Sequence, residues 1–310
     1  MKVLITSGGG AKGAFSVGAL KYLNEVKGIK QFDLISGTST GALIATLAAI
    51  GKIDTLVDVY RNTQNADVLE PKNLLESIKK KRPYIYDTHP LLKQIRQHID
   101  DNAFNAIMNG NTLLCLNAIS LQTGKVTVFS NKNIIADVHY DNILINSRDM
   151  LINAMLGSSN QAVFLNPIQV GADQYVDGGN REVVPTRAVV ANLNADHDHE
   201  IYVLSNNPND LVTYPGVIYT SILDVLIRAI AIFIQEIRES DMETLGNFKE
   251  QANGTVKVFY ISPGQELDRE FTTGLRFDFA LMEAWMQMGM ETAKKILDTK
   301  PDGNFPTVPQ

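Results

Sequence analysis

Phe32-Asp33-Leu34-Ile35-Ser36-Gly37-Thr38-Ser39-Thr40-Gly41 runs into an Ala- and Leu-rich stretch that ends at Ile50. A short apolar run, a sharp Gly-x-Ser-x-Gly turn and a longer apolar run read as strand, turn and buried helix. Ser39 then stands on the turn with its side chain presented and its backbone strained. Gly37 and Gly41 relieve the crowding because they lack a Cβ. The helix that starts at Thr40 points its positive end at the serine oxygen, which favours developing negative charge. The order strand, elbow, helix predicts an α/β chain in which Ser39 attacks an acyl carbonyl.

Upstream, Lys2-Val3-Leu4-Ile5-Thr6 reads as the first strand and leads into Gly8-Gly9-Gly10-Ala11-Lys12-Gly13 at a helix start. Free backbone N–H groups in such a loop suit an oxyanion. The same glycines also match the dinucleotide-binding fingerprint. That alternative needs an acidic residue about 20 residues on, at the end of the second strand. Here Asp33 stands at the beginning of that strand and the Ser39 elbow follows its end, so the oxyanion reading accounts for more. Lys12 either adds positive charge to the loop or is a solvated surface lysine.

A serine nucleophile needs a base. Of the five histidines, His89 and His98 belong to a helix that begins at Asp87-Thr88-His89-Pro90. His197 and His199 lie in an acidic stretch that reads as a solvated surface loop, ahead of a metal-ligand cluster. The better base is Asp177, in Gln174-Tyr175-Val176-Asp177-Gly178-Gly179, an acid at the end of a short strand-like run. Gly178 and Gly179 let that backbone approach another loop closely. A carboxylate of ordinary pKa, about 3.9, is a weak base. It can act when it is held within hydrogen-bond reach and water is kept out.

Gly-Gly-Gly-x-Lys-Gly, then Gly-x-Ser-x-Gly, then Asp-Gly-Gly resembles the patatin-like phospholipase family, whose members use a Ser–Asp dyad. Gly157 to Pro167 resembles the stretch before the family's catalytic aspartate, and Leu275 to Ala293 is similar to its last helix in bacterial members. The family usually has proline where Ala162 stands, which bears on loop shape and acyl-chain access. The resemblance implies Ser39 as nucleophile, Asp177 as base and the Gly8–Gly10 amides as oxyanion hole, with Lys12 and Gly13 in the same loop. It implies hydrolysis of fatty-acyl esters of lipids or phospholipids through an acyl-enzyme, with no metal or cofactor. Two rivals stay open: a serine acyltransferase or thioesterase, and a non-hydrolytic nucleotide-binding module built on Gly8–Gly13. Thr38 and Thr40 beside the serine argue against the acyltransferases of similar fold, which carry histidine there.

The 310 residues suffice for one large domain, expected over 1–298, with a Pro- and Gly-punctuated flexible tail over 299–310. Strand signals at 2–6, 32–36, 112–120, 125–130, 201–205 and 255–261 alternate with helical patterns at 13–24, 40–50, 88–99, 220–247 and 278–297. Gln122-Thr123-Gly124 reads as a hairpin turn. The architecture expected is a three-layer α/β/α sandwich around a mixed, mostly parallel sheet. Cys115, the single cysteine, sits in an apolar run and reads as core. No cleavable leader is visible, and the chain reads as cytoplasmic.

A net charge of −6 gives no general attraction to nucleic acid or to anionic membranes, so any membrane contact must be local and peripheral. Ile222 to Ile234 is too short to span a bilayer and reads as a buried core helix ahead of a membrane-docking or lid helix. Lys79-Lys80-Lys81-Arg82, followed by Tyr84 and Tyr86, reads as a solvated charge run ahead of a lipid-headgroup surface. Headgroup, chain length and oligomeric state leave no motif.

Overall fold

The computed structural model describes residues 1–72, 79–268 and 274–306. Its main sheet is built from β1 (Lys2–Thr6), β2 (Leu34–Thr38), β5 (Leu113–Ser120), β6 (Val126–Ser130), β7 (Tyr140–Leu144), β8 (Ile168–Val170), β9 (Asp173–Asp177), β10 (His199–Leu204) and β11 (Val256–Ile261). The short strands β3 (Glu70–Pro71) and β4 (Tyr86–Asp87) pair separately. The order across the sheet is β11-β10-β1-β2-β5-β6-β7. From β11 to β5 every pair is parallel. β5 and β6 are antiparallel across the Gln122–Gly124 turn, and β9 joins β5 antiparallel.

Helices cover both faces, as parallel strands require. Successive residues of β1 show why the strands are apolar throughout: Leu4 belongs to one core, and Val3 and Ile5 to the other. On the Leu4 side lie α1 (Gly13–Glu25), α2 (Thr40–Ala48), α3 (Ile53–Asn62), α4 (Asn65–Val68), α5 (His89–His98), α6 (Asp101–Asn109), α7 (Arg148–Ser159) and α10 (Phe279–Thr299). On the other lie α8 (Arg187–Ala191) and the C-terminal part of α9 (Ile222–Gln251). The three-layer mixed sandwich is therefore the observed fold. Cys115 is buried in a third, smaller cluster, and burial pushes its thiol up to about 12.

Helices α1 and α10 touch backbone to backbone. A Cβ on Gly18 would lie 1.9 Å from the Met286 carbonyl oxygen, and one on Gly289 would lie 2.0 Å from that of Phe15. No side chain larger than hydrogen fits either place. The glycine loop that precedes α1 is thus held partly by the last helix.

Three expectations need correction. The N-terminal half of α9 is not a buried core helix: Ile222 is 91 % exposed and Phe233 63 %, with Val225, Leu226 and Ile232 also exposed. Burial begins in earnest at Gln235, Arg238, Asp241 and Met242, where the helix passes over the sheet's second face. Within the tail expected over 299–310, residues 299–306 are fastened to the sheet, and 307–310 lie outside the described residues. The Asn304 amide donates to the Val258 carbonyl (2.9 Å), its side chain bonds both backbone groups of Tyr260 (2.8 Å each), and Phe305 packs on the α9 side. They cover the outer edge of β11, which would otherwise offer unpaired backbone groups. Finally, His199 is in β10 rather than a surface loop. It is buried, with Nε2 on the Asn194 carbonyl (2.8 Å), while His197 is exposed.

Candidate active site

One edge of β5 accounts for the meeting of Ser39 and Asp177. β6 occupies the other edge from Cys115 to Ile119. On the free edge β2 pairs as far as Thr38 with Asn117, and β9 takes over at the next residue, Asp177 with Ala118. The two strands run toward each other and stop end to end. The residue after Thr38 is Ser39, so nucleophile candidate and acid meet where the strands abut.

The backbone at that point is strained, as an elbow requires. Ser39 has φ 60° and ψ −131°, outside the range a serine prefers, and α2 begins at the next residue. Gly37 and Gly41 stand where the turn packs on β1: a Cβ on Gly41 would lie 2.2 Å from the Thr6 carbonyl oxygen. Gly178 passes as closely over β5, with its missing Cβ 2.4 Å from the Asn117 carbonyl oxygen. Gly179 turns its N–H onto Asp177 Oδ1 (2.7 Å).

The last turn of α7 and the residue after it fasten both halves. The Ser39 N–H donates to Ser158 Oγ (3.0 Å), and the Ser158 hydroxyl donates to the Asn117 carbonyl (2.5 Å). The Asp177 N–H donates to the Asn160 carbonyl (3.0 Å). Ser158 and Asn160 are fully buried. Asn117 in turn donates its side-chain amide to the buried Glu182 (2.5 Å).

Asp177 is 4 % exposed, and burial pushes its carboxyl up to about 6. Hydrogen bonds from Ser39 and from the Gly179 amide pull the other way but do not offset the loss of water. An acid of ordinary strength becomes a base poised near neutrality, facing a hydroxyl.

The glycine loop closes the site from β1. The Gly8 N–H is taken by the Val183 carbonyl (3.2 Å) and that of Lys12 by the Gly9 carbonyl (3.2 Å). The amides of Gly9 and Gly10 donate to nothing among the described residues. Lys12 is buried, not a solvated surface lysine, and pairs with Glu266 (3.1 Å) and Asn207. Gly13 lies against Tyr60 and Thr40. Gly274 presses on the loop from outside, its carbonyl accepting the Ala11 N–H (2.7 Å).

Two chambers meet at Ser39, and Gly10, Ser159 and Leu275 line both. One is apolar, walled by Leu43, Leu47, Leu56, Ile95, Met155 and Phe277. The other is polar in the charged groups it gathers among apolar ones, with Lys12, Asp177, Asn207, Arg228, Arg238 and Glu266 in its wall beside Ile227, Ile230 and Ile234.

The model of the family described as patatin-like phospholipase matches residues 4–193. The chain belongs to that family. Among characterised relatives, a cUMP-AMP-activated phospholipase of Escherichia coli is 46 % identical over 63 residues, covering 19 % of this chain and 20 % of its own. A cGAMP-activated phospholipase of Vibrio cholerae is 29 % identical over 199 residues, covering 58 % and 54 %. This patatin-like chain therefore spans between a fifth and about half the length of those two relatives. Among solved structures, VipD from Legionella pneumophila aligns with TM-score 0.43 at 13 % identity, over 96 % of this chain and 67 % of that one. The type III effector ExoU gives 0.41 at 13 %, over 95 % and 52 %.

Two features of this patatin-like site escape sequence reading. Ser158 and Asn160 lie in the stretch singled out by resemblance, yet nothing local marks them as the fastening of the dyad candidates. Arg238 in the polar chamber reads as one charge among many on a long helix. Where the family usually has proline, Ala162 is followed by Val163 at φ 73°, a strained value for a β-branched residue. No three metal-ligating side chains converge among the described residues.

Proposed function

We propose that the chain is a lipid acyl hydrolase in which Ser39 is the nucleophile and Asp177 the base. The observation that carries the reading is a strained, amide-anchored serine facing a buried carboxyl whose pKa is raised to about 6, at the junction of an apolar and a polar chamber. Ser39 Oγ attacks the ester carbonyl as its proton passes to Asp177 Oδ. The Gly9 and Gly10 amides receive the oxyanion, each donor of this kind being worth about 3 kcal/mol in other enzymes. The alcohol departs with the proton from Asp177, leaving an acyl-Ser39 ester. Water, deprotonated by Asp177, attacks that ester; the acyl–Ser39 bond breaks, the fatty acid departs, and Asp177 returns the proton to Ser39 Oγ.

The apolar chamber suits the acyl chain and the polar one the rest of the lipid, which favours a phospholipase A or lysophospholipase over a small-ester hydrolase. The exposed apolar side chains of α9 flank the polar chamber, whose wall includes Ile227, Ile230 and Ile234 of the same helix. They suit peripheral contact with a membrane surface. No helix among the described residues is long and apolar enough to cross one.

The relatives' names carry activation by a cyclic dinucleotide, and we extend that regulation to this chain. The segment from Gly274 to Phe277 supports it: it bonds the glycine loop and lines both chambers, so any ligand that moved it would alter access to Ser39.

Labelling with a fluorophosphonate probe, mapped by mass spectrometry with and without cGAMP, tests the reading. A label on Ser39 that Asp177→Asn removes is the expected result. A wild type that hydrolyses no lipid or soluble ester and takes no label under either condition would sink it.

A further inference from the structure

Arg238 is among the largest fully buried side chains of the protein, at 2 % exposure. Its partners are all neutral. Nε donates to Gln235 Oε1 (3.3 Å), Nη1 to Tyr260 Oη (2.9 Å) and to Asn209 Oδ1 (3.4 Å), and Nη2 to the Asn209 carbonyl. Four bonds against five N–H donors leave one hydrogen on Nη2, and the charge itself has no carboxylate partner among the described residues. A desolvated cation without a counter-charge is costly to a fold and is tolerated where something else supplies the anion.

That side chain also lines the polar chamber that opens onto Ser39. The chamber's other cations among the described residues are engaged: Lys12 with Glu266, and Arg228 over the Tyr214 ring at 5.2 Å. Asp210 and Asp268 also line the chamber. The neutral bonds hold the guanidinium fork in one orientation, so an incoming anion meets a prepared donor. Guanidinium is matched to phosphate oxygens in shape and charge, and low surrounding polarity strengthens the pairing.

The geometry points to Arg238 as a binding site for a phosphodiester anion within the polar chamber. This deepens the proposed hydrolase, since it makes the preferred substrate a phospholipid rather than a neutral lipid, or else seats a soluble phosphodiester beside the nucleophile. The shared chemistry is the phosphodiester, and the two sources separate by experiment.

Wild type and Arg238→Gln are compared on a phospholipid and on a neutral glyceride with the same acyl chains, each with and without cGAMP as the soluble phosphodiester. With the headgroup as source, the phospholipid-to-glyceride ratio of kcat/KM falls at least about tenfold in the variant. With the soluble ligand as source, the ratio holds, and the shift in melting temperature that cGAMP gives wild type disappears. Parallel loss on both substrates with an intact cGAMP response, or no change in either readout, overturns the assignment. If Arg238→Gln does not fold, competition on wild type decides: glycerophosphocholine or cGAMP must inhibit or alter glyceride hydrolysis, and indifference to both overturns it. A wild type inactive on every ester would instead be the failure of the Ser39–Asp177 reading, and it would take this inference with it.

Discussion

The two chambers that meet at Ser39 are built by opposite means. The apolar one is walled by regular elements, α2, α3, α5 and α7, whose apolar faces already belong to the main core. The polar one is walled by irregular chain, at Asn207–Val212 and Gly274–Leu275, and by a helix half exposed to solvent. Its charged groups are buried one by one: Lys12 with a carboxylate, Arg238 on neutral partners, Asp177 facing a hydroxyl. The first chamber is shaped by packing that the fold already needs. The second is walled by chain under fewer such constraints.

That contrast can be broken most severely at the junction itself. Ser39→Ala and Asp177→Asn each lower kcat on a lipid ester by at least about a thousandfold, measured as fatty-acid release, with circular dichroism unchanged. Near-normal turnover by Asp177→Asn would remove the base. Next in size is Ser158→Ala, which frees the elbow amide from β5. We expect kcat to fall roughly 10- to 100-fold with KM little changed, and Ser158→Thr to recover part of it. A rise in KM alone would make Ser158 a packing residue.

The raised Asp177 pKa sets the next effect and its sign. The proposed mechanism needs Asp177 ionised, so kcat/KM should rise about tenfold per unit as pH increases toward about 6 and level off above it. Stability runs the other way. Folded Asp177 titrates near 6 and unfolded Asp177 near 3.8, so the folded state holds the proton more tightly. Stability therefore falls as pH rises through that window, by about 3 kcal/mol in all. Asp177→Asn is spared this loss and should melt higher than wild type at about pH 8, but no higher at about pH 4. Equal melting temperatures at the higher pH would mean that the carboxyl is better solvated than its burial indicates.

Smaller effects sharpen the division of labour. Leu43→Trp narrows the apolar chamber and should lower the long-chain to short-chain preference about tenfold, read as relative kcat/KM on a series of esters. Unaltered chain preference would move the acyl group elsewhere. Phe233→Ser, on the exposed face of α9, should weaken pelleting with zwitterionic vesicles a few-fold while leaving hydrolysis of a soluble ester intact. Unchanged pelleting would assign that face to another contact.

The sheet and the two dyad candidates were legible for a local reason. Glycine-framed turns at Ser39 and Asp177 follow strand-like runs, and both the elbow and the acid-ended strand are written within a few residues. Their meeting is not local. It depends on β2 and β9 sharing one edge of β5, a register that no short stretch encodes. Ser158 escapes notice because a serine in the last turn of a helix is common, and its partners are backbone groups of two other elements. The start of α9 misleads because apolar residues surround it nearly on all sides. Periodicity then carries no information on which face is covered, and most of that surface is left open.

The close packing of α1 on α10, at Gly18 against Met286 and at Gly289 against Phe15, bears on when the site can form. The helix that begins at the glycine loop is made long before α10, its packing partner. β1 likewise waits between β2 and β10 for a neighbour nearly 200 residues downstream. At ribosomal speeds the interval is on the order of tens of seconds. During synthesis the nascent chain carries both serine and glycine loop but not the frame that aligns them. The arrangement proposed to cleave an ester is thereby incomplete until α10 has docked.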